Sequence, residues 1–255
     1  MAIFTLMSPG GSPGVTTTGL AVTHAWDRRA LLAECDPKGG SVLQGFLAGR
    51  TDGLKGGLLE LALAIAHDPD ASVLWEYVIS LDQEVRRWLL LPGLRDPRHV
   101  VQIESAWDAV IDVIKSAAGE DTDVVIDIGQ IGRPDTPLRL IAASQLAVMV
   151  LRPTLRQVAD ARPRLDALGR YVGTSVPVTL CLIGAGDYAP VEVSQALYGL
   201  PVIATMPFEP RLAAVLSDGR PAPRAARMAH LLNGAQRLAA SMRKAANEPH
   251  KAVAS

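Results

Sequence analysis

Short unbroken apolar runs alternate along the chain with longer stretches in which apolar residues recur at helical spacing. The runs at 2–7, 29–35, 123–129, 145–153, 177–184 and 201–208 predict strands. Their continuity, rather than strict apolar–polar alternation, is the pattern of strands covered on both faces. Helices are predicted over 16–26, 104–118, 155–172, 190–197 and 227–245, the third with Pro163 as an expected kink. Residues 41–67 read as short helices broken by turns at Gly45, Gly49, Gly53, Gly56 and Gly57. The segment 72–80 is ambiguous between helix and strand, and 85–93 ends in a strand-like run stopped by Pro-Gly.

This strand–helix alternation, with no linker to divide it, predicts an α/β fold: a doubly wound, mostly parallel β-sheet flanked by helices on both faces. One domain is expected over 1–246, with a flexible polar tail at 247–255. A hydrophobic fraction of 49% with only 4% aromatic residues means a core built from Ala, Val, Leu and Ile. The formal net charge of −1 supplies no global attraction to nucleic acid or an anionic membrane, so any such contact needs a local patch. Cys35 and Cys181 both lie in apolar runs, too few for a disulfide framework, and are expected to be free buried thiols of a reducing compartment. The N-terminal "MAIFTLM" lacks a basic segment and runs quickly into Pro-Gly, and no apolar stretch is long enough to span a bilayer. A cytoplasmic protein without stable membrane insertion is expected.

Candidate chemistry starts at "MSPGGSPGVTTT", residues 7–18, between the first strand and the first helix. A glycine-rich turn in that context can aim consecutive backbone N–H groups and a helix N-terminus at a phosphate. Gly10, Gly11 and Gly14 allow the required dihedrals, and Thr16, with Thr17 beside it, stands where a hydroxyl could ligate Mg²⁺. The G-x-x-x-x-G-K-[ST] pattern fails at Pro9, in place of the first glycine, and at Val15, in place of the lysine. Taken alone, the stretch reads equally well as a strand-to-helix turn that binds nothing. Asp36, in "ECDPKGG", ends the second strand and is either a site acid or a turn residue before Pro37. Asp127, between Ile126 and Ile128 at a strand's end, has fewer structural explanations. Arg133, Arg152 and Arg156 fall on the carboxyl edge of the predicted sheet, where open α/β sheets place ligands.

With "LIGAGDY" and "MPFEPRLAAVLSDGRP", these segments occur in an order and spacing that resembles the ParA/MinD family of deviant Walker A ATPases, across essentially the whole chain. The family loop reads K-G-G-x-G-K-[ST]-[ST]. The resemblance sets its signature lysine on Gly10, its middle glycines on Gly11 and Ser12, its variable position on Pro13 and its next glycine on Gly14. Val15 takes the second lysine, and Thr16 and Thr17 match the hydroxyls. It implies a nucleotide bound by Gly10, Gly11, Ser12, Gly14, Val15, Thr16 and Thr17, with Glu209 a loose match to a nucleoside contact. Mg²⁺ would be held through Thr16, Asp36 and Asp127, and Asp36 would orient the attacking water. The asparagine that reads adenine in many members is Gly184 here, and Asp160 matches an acid near the subunit interface.

Both lysines are absent. The second touches β- and γ-phosphate oxygens in the family, and the signature lysine reaches across a dimer to the partner's nucleotide. Each such charge-assisted contact is worth about 1.5–3 kcal/mol, and losing one preorganised cation from a transition state costs about 10²–10³ in rate. The resemblance therefore implies a pseudo-ATPase: ATP and Mg²⁺ held weakly or not at all, little hydrolysis, and action by homodimerisation and recruitment of a protein of a partition, division, secretion or pilus system. One alternative is an active Mg-ATP enzyme in which Arg133, Arg152 or Arg156 replaces the lysines. Another is a DNA-binding partition factor using Arg220, Arg224, Arg227, Arg237, Arg243 and Lys244, which a solvated helical face also explains. For the last helix, core packing is favoured over MinD-like membrane attachment, with Gly234 as an interruption.

Overall fold

The computed structural model describes residues 2–11, 13–50, 54–67, 70–82, 86–119, 121–221 and 225–247. Eight strands form a single sheet: β1 (Ile3–Ser8), β2 (Ala30–Glu34), β3 (Ile79–Ser80), β4 (Trp88–Leu91), β5 (Asp123–Gln130), β6 (Leu146–Leu151), β7 (Val178–Ile183) and β8 (Val202–Met206). The order across the sheet is β3-β4-β2-β5-β1-β6-β7-β8, and every pairing is parallel except β3 with β4. The doubly wound, mostly parallel sheet expected from the apolar runs is the observed one.

Helices cover both faces, which is why the central strands need no polar face. One layer consists of α1 (Val15–Ala25), α8 (Pro210–Asp218) and α9 (Ala225–Asn247), packed over Phe4, Leu6, Leu32, Val125 and Val148. The other contains α2 (Leu58–His67), α3 (Val100–Ile103), α4 (Trp107–Gly119), α5 (Leu138–Ala142), α6 (Leu155–Val172) and α7 (Pro190–Ala196), over Ile3, Leu31, Val124, Ile126 and Met149. Alternate residues of one strand therefore feed opposite cores, as the two-residue period of a strand dictates.

Several sequence expectations are refined. The ambiguous 72–80 segment is a 3-10 helix, Ala71–Glu76, followed by the short antiparallel edge strand β3. Within 41–67, α2 is the helix among the described residues, residues 42–49 are turns, and Gly53 lies outside them. The predicted 104–118 helix starts as a 3-10 turn before α4. The α6 helix runs unbroken through Pro163. Gly234 does not interrupt α9; a Cβ there would lie 2.7 Å from Pro207 Cδ, so the glycine lets the helix approach the end of β8. Leu231, Ala235, Leu238, Ala239 and Met242 are buried at helical spacing, which makes α9 a core-packing helix. Among the described residues no helix is long and apolar enough to cross a membrane. Cys35 and Cys181 are free and buried, and burial raises both thiol pKa values, that of Cys181 to about 12. The tail beyond Asn247 lies outside the described residues.

At the amino edge of the sheet, Asp123 is fully buried and accepts from Ala2 N (2.8 Å), Trp26 Nε1 (2.8 Å) and Arg28 Nε (2.8 Å). Trp26 in turn meets Phe4 edge-on, with ring centroids 5.3 Å apart. This joint ties the start of β5 to β1 and to the end of α1. Asp123→Ala would strand three donors and should lower unfolding stability by about 2–4 kcal/mol in urea titration; a loss under 1 kcal/mol would show that the joint carries little.

Candidate functional site

The parallel strands β1, β2, β5 and β6 end together, so the segments that follow them meet at the carboxyl edge. After β1 the chain turns through Pro9, Gly10 and Gly11, and α1 begins after Gly14. Gly10, Gly11 and Gly14 have φ of 144°, 70° and 101°, values that L side chains rarely adopt, so the glycines are required by the backbone. Gly14 is the N-cap of α1, without a side-chain cap and with no acid in the first turn. The first-turn N–H groups are thus free of side-chain capping, as an anion cradle requires. Ser12 lies outside the described residues.

Val15, in the lysine position, is 6% exposed and belongs to the same buried cluster as Phe4, Leu6 and Leu20. Its side chain belongs to the core. Thr16 behaves differently: its hydroxyl bonds the carboxylate of Asp127 in the second half of β5, which also accepts from Gly129 N at 2.8 Å. Asp127 is 1% exposed. Asp36 sits at the end of β2, accepting Lys38 N–H at 2.8 Å in a turn of its own. Its other oxygen lies against Gly129, where a Cβ would come within 1.8 Å of Oδ2, and Gly129 has φ of 63°. Asp36 is therefore a turn residue and also a neighbour of the Asp127 strand end. The nearby Glu34 is spent on structure: its carboxylate accepts from Ser41 N (2.7 Å), Val42 N (3.0 Å) and Gly93 N (3.3 Å).

Thr17, Gly14, Glu209, Phe208 and Leu231 line an open pocket of about 280 Å³ beside the loop. Glu209 precedes α8, with Oε1 3.4 Å from His230 Nδ1. The glycine at 184 has a packing cause: a Cβ would stand 2.5 Å from Phe208 Cβ, and its φ is 72°. Phe208 also carries the Arg152 guanidinium 4.2 Å above its ring. An asparagine cannot occupy that position without moving Phe208.

The three candidate arginines separate clearly. Arg133 is bound by Asp135 at 2.8–2.9 Å, and Arg152 stacks on Phe208. Arg156 has no hydrogen-bond or ion-pair partner among the described residues, and its Nη2 is 3.1 Å from where a Gly11 Cβ would be. Gln157 Nε2 lies 3.2 Å from the same point, and Gln130 Nε2 lies 3.2 Å from the Cβ position of Gly10. Lys38 Nζ donates to Gln130 Oε1 at 3.0 Å. Lys38, Gln130 and Gln157 were not singled out in the sequence, because they fall outside the loop pattern and reach it only through the sheet order. Asp160 makes an i,i+4 contact to Arg164 (3.7 Å) on the α6 surface.

The residues present fit a magnesium nucleotide in part. Thr16 and Asp127 are paired at the bottom of a glycine cradle, and Mg²⁺ needs only one or two protein oxygens besides waters and phosphates. Consistent with that, among the described residues no group of three or more His, Cys, Asp or Glu is placed to hold a metal alone.

A glycine turn between a central parallel strand and a helix, with acids from β5 and from the turn after β2 on one side of it, is the arrangement of a P-loop-type α/β fold. The architecture is that of the ParA/MinD ATPases. It superposes on a ParA family ATPase from Chlorobium tepidum TLS with a TM-score of 0.74 at 17% identity, covering 94% of this chain and 97% of that one. For the septum site-determining protein MinD complexed with Mg-ADP from Pyrococcus horikoshii OT3 the TM-score is 0.73 at 20% identity, covering 96% and 97%. For the MinC:MinD cell division protein complex of Aquifex aeolicus it is 0.70 at 13% identity, covering 98% of each chain. No family model and no curated protein sequence matches the chain.

The buried acids make stability depend on pH. Burial pushes Asp127 up to about 7, with Glu34 and Asp36 adding to the rise, against the Thr16 and Gly129 hydrogen bonds. Burial also raises Glu34 and Asp36. A carboxyl whose folded pKa exceeds its unfolded value keeps extra protons in the folded state between the two, so its contribution is full below about pH 4 and is lost as pH rises through about 7. In metal-free buffer Asp127→Asn should therefore raise the melting temperature at pH 8, and the gain should shrink as pH falls, to vanish only below about pH 4. A gain of equal size at both pH values would contradict the burial cost assigned to Asp127.

Proposed function

We propose that this chain is a ParA/MinD-like positioning or partitioning scaffold that binds Mg-ATP weakly, hydrolyses it little, and acts by dimerising and recruiting a protein partner. The observation that carries this reading is Val15: the position that reaches phosphate in a working loop is an apolar side chain packed into the core. A bound Mg²⁺ would supply charge neutralisation between phosphate oxygens. The Thr16 hydroxyl would hold it directly, Asp127 through water, and Asp36 would orient a neighbouring water. With no ammonium group built into the loop itself, the loop offers charge growing on the leaving oxygens only its backbone N–H groups, and Pro13 removes one of these. The fold neighbours support a partner-binding role, since one of them is a MinD in complex with MinC.

An active ATPase with substituted cations is the second reading, favoured by the retained Thr16–Asp127 pair. The DNA-binding alternative is weaker. Arg243 is held by Asp27 at 2.6–2.7 Å and Arg220 lies 3.9 Å from Asp218, while Arg224 and the side chain of Arg227 lie outside the described residues.

Two measurements decide between these readings. Steady-state phosphate release from Mg-ATP should stay at the buffer background and should not fall further in Asp36→Ala, whereas release at a family-like rate, abolished in that variant, supports the enzyme. In sedimentation, the dimer fraction should be the same with ATP and with a non-hydrolysable analogue. A dimer that forms with the analogue and decays with ATP would mark a hydrolytic switch and contradict the scaffold.

A further inference from the structure

The loop lacks its own cations, yet the chain brings donors to it from elsewhere. The N-terminus of α6 arrives beside Gly11, with Thr154 as its N-cap, no side-chain cap bond and no acid in the first turn. The N-terminus of α1 is uncapped by side chains in the same way. Two helix ends with partial positive charge thus face one turn, and neither is neutralised locally.

Two α6 side chains add to this field. Gln157 is 2% exposed, and its Oε1 is committed to Arg152 N at 2.7 Å, which fixes the side chain and directs Nε2 to Gly11. That N–H₂ has no acceptor among the described residues and is not sealed off like the unpartnered buried atoms elsewhere, so it is open to an acceptor brought to Gly11 by a ligand. Arg156, beside it, points Nη2 at the same glycine with no carboxylate paired to it among the described residues. The acids of the carboxyl edge stand on the other flank, where Asp36 has Lys38 and Arg133 as charge neighbours and Asp127 has Thr16. Asp160, the nearest acid along α6, interacts with Arg164.

We propose that Arg156 and Gln157 form an anion clamp that grips a polyphosphate chain against the Gly10–Gly11 turn, supplied by the same chain that carries the loop. This inference rests on the glycine turn being a residual nucleotide site, and it is independent of how slowly that site hydrolyses. Because both clamp residues belong to α6 of the same molecule, ligand binding is complete in the monomer. With equal affinity in monomer and dimer, as the proposal holds, reciprocity leaves the monomer–dimer equilibrium unchanged by the ligand.

The test is binding without turnover, by calorimetry and thermal shift, using a non-hydrolysable ATP analogue with Mg²⁺, and separately tripolyphosphate and inorganic phosphate. The analogue should stabilise the wild-type chain. Arg156→Ala should weaken its binding about tenfold or more, and Arg156→Lys should recover part of the loss, since it keeps the charge but not the fork. Arg133→Ala, whose guanidinium is held by Asp135, should bind as the wild type does. Equal loss for tripolyphosphate would identify the phosphate chain as the recognised group; a loss confined to the analogue would tie the clamp to nucleotides. Affinity should be the same at protein concentrations that leave the chain monomeric or dimeric. Unchanged affinity in Arg156→Ala, a wild type that binds none of the three probes, or an affinity that rises with protein concentration would each overturn the proposal. Loss of all binding would also remove the weak nucleotide site of the scaffold reading, whereas an unchanged Arg156→Ala affinity would overturn the clamp alone and leave that reading to the phosphate-release assay.

Discussion

Asp127 is a carboxylate held in the dry second half of a central parallel strand, and the rest of the carboxyl edge is arranged around that cost. Its retained partners are the Thr16 hydroxyl and the Gly129 N–H, which satisfy oxygens without neutralising charge. Asp36 packs on the same glycine, and Glu34 is buried one strand end away among backbone N–H groups. A cluster of acids without an ammonium group in its loop is poised for a divalent cation or for protons. It is poorly equipped to stabilise charge on a departing phosphate. On the proposed reading, the loop keeps the groups that would meet a metal and lacks those that would speed chemistry.

The pocket beside the loop, where the proposed reading would seat a base, keeps its shape without converging polar groups. Phe208 presses on Gly184 and carries Arg152 on its exposed face, so the position that could read a base edge is closed to any side chain by packing. The open space beside Gly14 and Thr17 persists because α8 and α9 wall it, not because polar groups converge there.

Much of this was legible in the sequence, and for definite reasons. Buried parallel strands are continuous apolar runs, so β1, β2, β5, β6, β7 and β8 stood out, and the 155–172 periodicity gave α6 its exact bounds. Elements too short for periodicity did not stand out: β3 and α5 were unassigned, and α8 was hidden inside a segment read only as a motif. The glycines, Thr16 and Asp127 were legible because backbone geometry and metal chemistry restrict them to few residue types. Arg156 was one of three equivalent arginines until the fold engaged the other two, with Asp135 and with Phe208. Gln130, Gln157 and Lys38 were invisible, because an amide near a loop distant in sequence leaves no spacing to read. Gly184, expected as a missing base contact, and Gly234, expected as a helix interruption, are close approaches of Phe208 and Pro207.

The central claim is that this cradle tolerates a triphosphate without cleaving it, and a single-turnover experiment addresses it most directly. With the protein in excess over γ-labelled ATP and Mg²⁺ present, so that product release drops out, the label should leave ATP no faster than in the protein-free control. Label appearing as phosphate well ahead of that control, and retained on ATP when Thr16 or Asp127 is removed, would show that the acids and backbone suffice for chemistry and would contradict the account.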